Sequence, residues 1–330
     1  MPTCHDVNVH TASPDTIDVL IGFCSGDVLW MDPVSMRYSR INKAGQAIRS
    51  PVRQVRWVPG SETLFVTAHE NGCIYIWDRE NEDAYLQTPE PDVPRMPIRR
   101  AEDRLRNPMS AWRVARHSIN DMAFSPDAQK LAVVADDGLL RVIDVASESV
   151  MHTFKGYFGA MLCVCWSTDG CVIATGGQDD LVTLWAPSEK RVIAHAQGHS
   201  SFVSRIVTDP WRWNGDAYRF VSVGEDANIC LWDFSPASIR RQTRNVRARR
   251  YSMDGMQPSN NGIYETRTRA LVPILHPTAV VSTGDMRLCD VRLSDSGLQL
   301  LYRNSKFELY ARPRAEAEEQ PAPRQFGKRT

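Results

Sequence analysis

Apolar and polar residues alternate along this chain in short runs, and the runs recur. Four of them read GCIYIWD (72–78), GLLRVID (138–144), DLVTLWA (180–186) and ANICLWD (227–233). Alternation with a period of two predicts strands that show one face to each side of a sheet. Each run opens on a small turn residue and closes five positions later on a large apolar one. The pairs are Gly26 and Met31, Gly72 and Trp77, Gly138 and Ile143, Asp180 and Trp185, Ala227 and Trp232, and Ser305 and Tyr310. Asp follows the closing residue at Asp32, Asp78, Asp144 and Asp233. Upstream of each run lies a second strand ending in a turn, such as LFVTAHEN, LAVVADD, VIATGGQD or FVSVGED. Upstream again lies a third, such as VRQVRWVPGS, INDMAFSPDA or MLCVCWSTDG.

A unit of three or four antiparallel strands closed by Trp-Asp is the signature of one propeller blade, with a repeat of about 40–45 residues. The predicted fold is therefore all-β, a WD-repeat β-propeller with six detectable blades. Two intervals between closing residues run long, and each holds a polar, Pro- or Arg-rich insertion, at 79–111 and 235–270. Both are expected to be long loops. The reading divides the chain into a lead segment (1–16), the propeller (17–311) and a disordered tail (312–330). The repeats alone leave the ring six-bladed, seven-bladed with a degenerate unit, or open.

Composition narrows the functions. There are 39 basic and 39 acidic residues and a net charge of zero. That argues against a surface built as a whole for nucleic acid or anionic membrane. The start, MPTCHDVNVHTASPD, lacks a basic end followed by an apolar run. Runs such as Leu131 to Ala135 are too short to span a bilayer. The expected location is the cytosol, the nucleus or both, with the eight cysteines as reduced thiols. Cys163 and Cys165, on one face of a strand, read as core residues rather than metal ligands. No cofactor motif is present, and Gly176-Gly177 reads as turn chemistry. No metal site and no catalytic site are expected.

His199, Ser222, Asp226 and Trp232 fall in one unit. Ser, His and Asp together invite a nucleophilic triad, but in a Trp-Asp repeat they read as a structural hydrogen-bond chain that satisfies polar groups at the rim of the core. Tyr157 stands where the His would be in the fourth unit, and Asn71 where the Asp would be in the second. A basic run, IRRQTRNVRARR, carries Arg240, Arg241, Arg244, Arg247, Arg249 and Arg250. It reads as a solvated loop, or as a nuclear-import or acidic-partner signal. It lacks the interleaved aromatics that stack on bases. Candidate partner-binding residues are aromatics in loops that a rigid scaffold would hold. They are Tyr157 and Phe158 in KGYFGAM, Phe202 in GHSSFVS, and Trp211 and Trp213 in DPWRWNG.

Several longer segments carry a resemblance. They include PTCHDVN (2–8), LIGFCSGDVLWMDP (20–33), VRWVPGSETLFVTAHENGCIYIWD (55–78) and INDMAFSPDAQKLAVVADDGLLRVID (119–144). YFGAMLCVCWSTDGCVIATGGQDDLVTLW (157–185), GHSSFVSRIVTDPW (198–211) and YRFVSVGEDANICLWDFS (218–235) extend it. Together they resemble the WD-repeat family of catabolite repression protein CreC, WD repeat-containing protein 20 and the dystrophia myotonica WD repeat-containing protein. The resemblance implies a seven-bladed propeller. It also implies a non-catalytic scaffold that binds and activates or stabilises a ubiquitin-specific protease, docked on the propeller's top face. Phe158 lies in the matching YFG segment, and Phe202 stands where relatives typically show Trp. Alternative readings are a substrate receptor for a ubiquitin ligase and a nuclear or chromatin adaptor. The ligase reading lacks its Trp-Asp-x-Arg, since Trp77-Asp78 precedes Arg79-Glu80 and Trp232-Asp233 precedes Phe234-Ser235.

Overall fold

The computed structural model describes residues 1–90, 96–103, 105–209, 217–235 and 272–283, and the backbone of the strands at 263–265, 288–294, 297–302 and 307–310. Among the described residues, six sheets built on antiparallel strands follow one another along the chain. The first is β1 (Pro2–Val7), β2 (Val19–Phe23), β3 (Val28–Asp32) and β4 (Arg37–Ile41). The second is β5 (Val52–Trp57), β6 (Leu64–His69), β7 (Cys73–Asp78) and β11 (Ser110–Arg113), flanked by β9 (Ile98–Arg100). A short pair, β8 (Glu82–Asp83) and β10 (Arg106–Asn107), lies beside it. The third is β12 (Ile119–Phe124), β13 (Lys130–Ala135), β14 (Leu139–Asp144) and β15 (Ser149–Lys155). The fourth is β16 (Met161–Trp166), β17 (Ile173–Gly177), β18 (Leu181–Ala186) and β19 (Arg191–Gln197). The fifth is β20 (Val203–Thr208), β21 (Tyr218–Gly224), β22 (Asn228–Phe234) and β25 (Ala279–Ser282). The sixth is β26 (Leu288–Ser294), β27 (Gly297–Tyr302) and β28 (Phe307–Tyr310).

The sheets pack through their first strands: β1 on β5, β5 on β12, β12 on β16, β16 on β20, β20 on β26. That is the radial arrangement of blades around a channel. All six first strands carry a register shift at the same place, just after their first residue. A bulge repeated there bends each innermost strand where it meets the channel.

Both faces of a blade are buried, which is why runs such as LAVVA are nearly continuous rather than strictly alternating. Along β13, Leu131 and Val133 join the cluster shared with the second blade, while Ala132 and Val134 join the one shared with the fourth. Each of the first four blade interfaces has its own apolar cluster. Trp77 and Trp185 are fully buried and Trp232 nearly so.

The repeated turn residue has a backbone reason. Gly26, Gly72 and Gly138 sit at φ +92, +80 and +70, and Asp180 and Ala227 take the same left-handed conformation. At Gly72 a Cβ would also stand 2.2 Å from the Ala115 carbonyl oxygen. Gly72→Ala therefore combines left-handed strain with a backbone clash. It is expected to destabilise the fold by about 3 kcal/mol, read as a lowered urea midpoint.

Three sequence expectations need correction. Residues of the 1–16 lead supply β1, the innermost strand of the first blade. PTCHDV carries little apolar signal because it is held by its ladder to β2 and by the Thr3 hydroxyl, which donates to the Val52 carbonyl (2.6 Å). The 79–111 insertion is not a plain loop. It contains β8, β9 and β10, Leu86 packs into the interface of the first two blades, and β11 begins within it. Gly176 and Gly177 lie inside β17 rather than in a turn. A Cβ on Gly176 would meet Val203 at 2.5 Å and one on Gly177 the Ala160 carbonyl at 2.4 Å, so these glycines serve close approach of strand and neighbour.

The 235–270 insertion lies largely outside the described residues. Its one described strand, β23 (Ile263–Glu265), runs parallel to β15, and β24 (Ile274–Leu275) then runs parallel to β19. The chain thus leaves the fifth blade, returns to the rim of the third and the fourth, and completes the fifth with β25.

Candidate partner-binding face

The site is built on loops that enter the first strands and on the turns between second and third strands. In the fifth blade these are tied by a buried relay. His199 donates through Nδ1 to Asp226 (3.0 Å), Ser222 pairs with His199 Nε2 (2.7 Å), and Trp232 Nε1 donates to the Ser222 hydroxyl (2.8 Å). The tautomer follows from the partners. Ser200 N–H also donates to Asp226 (3.0 Å). Burial pushes the Asp226 carboxyl up, but the Ser200 and His199 hydrogen bonds outweigh it and hold the group below its usual range. Ser222 is fully buried, and its oxygen is shared by two rings.

Other blades carry versions of the relay. Trp77 Nε1 donates to Thr67 (2.7 Å) and Trp185 Nε1 to Thr175 (2.8 Å). In the second blade the histidine comes from inside a strand: Thr67 pairs with His69 Nε2 (2.8 Å), and Nδ1 donates to the Ser50 carbonyl (2.8 Å). The alignment on Asn71 missed this. Asn71 instead donates to the Tyr75 hydroxyl (3.0 Å) and accepts from Cys73 N–H (3.0 Å). The signal was the His of LFVTAHEN, two residues after the threonine.

His69 is fully buried, and that burial lowers its pKa from 6.5 to about 4. The folded chain keeps the neutral ring where the unfolded chain takes up a proton. The stability is complete above pH 6.5 and is lost as pH falls from there to about 4. The loss at this site is about 3 kcal/mol. His69→Gln should show a shallower decline between pH 7 and pH 4 in urea titrations. Equal declines would exclude His69 as the source.

The Asp after the closing residue is a turn cap. Asp32 accepts from Val34 N–H (3.0 Å), Ile17 N–H (3.2 Å) and the Ser35 hydroxyl; the last, chiefly, holds its carboxyl below the usual range. Asp144 accepts from Ser147 N–H (2.7 Å), and Asp78 from Glu80 N–H (3.0 Å). Asp233 pairs instead with Arg219.

Between β15 and β16, Tyr157 and Phe158 are 49% and 72% exposed. Phe202, one residue before β20, is 38% exposed. Tyr157 differs from the buried His199 in being half exposed. These loops are fixed on both sides. Gly156 N–H donates to the Gly138 carbonyl (2.9 Å), and Ala160 and Gln178 exchange two hydrogen bonds (3.0 Å each). Glu225 N–H donates to the Phe202 carbonyl (2.9 Å). Loops fixed in this way have little backbone entropy left to lose on binding, and each aromatic side chain has only two torsions to order.

Cys163 is buried and Cys165 half-buried, and burial raises both thiols. No metal-binding group of His, Cys, Asp and Glu occurs among the described residues. Trp211, Trp213, the six arginines Arg240, Arg241, Arg244, Arg247, Arg249 and Arg250, and the 312–330 tail lie outside the described residues.

The model of the WD domain, G-beta repeat, matches residues 44–78, 111–144, 148–186 and 190–233. These ranges close on the second to fifth blades. UBP9-binding protein bun62 of Schizosaccharomyces pombe (strain 972) is 33% identical over 350 residues. The match takes in 94% of this chain and 64% of the relative's length. A chain in the crystal structure of a mitotic checkpoint complex superimposes with a TM-score of 0.57 at 14% identity. That match covers 87% of this chain and 67% of the other and bears on the fold alone.

Proposed function

We propose, from a chain whose four matched WD repeats build a propeller, that it is a non-catalytic scaffold that binds a ubiquitin-specific protease and activates or stabilises it. The observation that carries the reading is the outward set of Tyr157, Phe158 and Phe202 on loops fixed by hydrogen bonds. The name of the fission-yeast relative, a UBP9-binding protein, accords with such a partner. So does the resemblance to the catabolite-repression family, whose YFG segment is matched at Phe158.

The scaffold acts as a partner and not as an enzyme. Its Ser-His-Asp set is spent on the blade: the serine is fully buried and already bonded to Trp232 and His199. Activation is then allosteric, a coupling free energy between the docking surface and the protease centre. The encounter takes place in the cytosol or nucleus, where the thiols stay reduced.

The purified chain mixed with UBP9 should form a complex on size exclusion and raise its rate of ubiquitin-conjugate hydrolysis. An unchanged rate together with separate elution peaks would rule the proposal out.

A further inference from the structure

One buried carboxylate on an innermost strand bonds within its own blade and to three others. Asp121, on β12 of the third blade, is 1% exposed. Its Oδ1 accepts from Met122 N–H (3.0 Å) and faces the Arg56 guanidinium of the second blade (3.4 Å). Its Oδ2 accepts from Val164 N–H of the fourth (3.1 Å) and from Arg205 Nη1 of the fifth (2.8 Å). Next to it, Asn120 donates to the Met161 carbonyl (2.8 Å) and to Asp136 (2.8 Å). Asp6 makes a related contact between the first two blades, accepting from Trp57 N–H (2.9 Å).

Two of the three neighbouring strands that Asp121 grips, β16 and β20, are those that follow the aromatic loops. Val164 and Met161 are on β16, entered from Tyr157 and Phe158, and Arg205 is on β20, entered from Phe202. A buried charge that is fully hydrogen-bonded fixes geometry more sharply than apolar contact, because any displacement leaves charged groups without partners. We infer that Asp121 is a positioning residue for the partner face, setting the spacing between the Tyr157–Phe158 and Phe202 loops. The inference rests on the proposed scaffold function.

Asp121→Asn keeps the shape and removes the charge. In the free protein, amide hydrogen exchange in 156–160 and 198–203 is expected to speed up. UBP9 is expected to bind on the order of tenfold more weakly. On a Phe158→Ala, Phe202→Ala background the same change should cost almost nothing further, since the groups being placed are gone. Asp6→Asn is the control for a purely structural carboxylate. It should lower the melting temperature and leave binding within twofold. Unchanged exchange in both loops, or a binding loss equal for Asp121→Asn and Asp6→Asn, would overturn the inference. Should Asp121→Asn not fold, Arg205→Lys, which keeps the charge and shortens its reach, gives the same two readouts. Should UBP9 not bind the unmodified chain, the proposed function fails and the exchange measurement still decides the placement of the loops.

Discussion

Ser222→Ala is expected to lower stability by about 4 kcal/mol, out of proportion to the single oxygen removed. That oxygen accepts from Trp232 Nε1 and pairs with His199 Nε2, and all three residues are buried. Removing it orphans two buried ring nitrogens, at about 1–3 kcal/mol each. The second blade has the same arrangement, with Thr67 between Trp77 and His69, so Thr67→Val should cost a similar amount. In the fourth blade Thr175 accepts from Trp185 while the histidine, His195, pairs through Nδ1 with Thr183, and Thr175→Val should cost about half as much. Urea midpoints of the three variants give the order directly. If Thr175→Val proves as damaging as the other two, the relay beyond the hydroxyl contributes nothing.

The blade pattern was legible because it is local. A left-handed turn residue and a large apolar residue five positions on belong to one hairpin, and each constraint acts within a few residues. Gly72 and Trp77 illustrate it: one satisfies φ +80, the other fills the interface of the first two blades. Three of the strands that escaped, β9, β23 and β24, have two or three residues each. No period can be read over so short a span. They exist because an outer strand, in two cases far away in sequence, offers them hydrogen bonds.

The candidate site divides in the same way. Tyr157, Phe158 and Phe202 were readable from their place before a first strand, since that place repeats. The relay of His199, Ser222, Asp226 and Trp232 was readable because its members recur at blade spacing. His69 was not, because it takes the role of His199 from within a strand, where an isolated polar residue looks like an ordinary alternating position. Asp121 was hidden for a different reason. Its partners Val164 and Arg205 lie 43 and 84 residues away, so only the packing of the third, fourth and fifth blades on one another brings them together.

Phe158→Ala and Phe202→Ala separate binding from folding. Phe158, 72% exposed, has little to lose in the free protein, and its truncation should leave stability within about 0.5 kcal/mol. If it is an anchor in a desolvated interface, its loss costs at least about 2 kcal/mol, which is roughly thirtyfold in Kd for the proposed protease partner. Phe202 is 38% exposed, so more of its surface is already covered in the free protein. It therefore has less surface to give a partner, and its alanine variant should cost less affinity and more stability than that at 158. The ranking separates two pictures of the face. An affinity loss in proportion to exposure means that the rings enter pockets on the partner. Equal losses at both positions, accompanied by equal falls in melting temperature, mean that the rings hold the loops in shape and that contact is made elsewhere. Calorimetric titration of each variant with the protease, run beside its thermal melt, distinguishes the two.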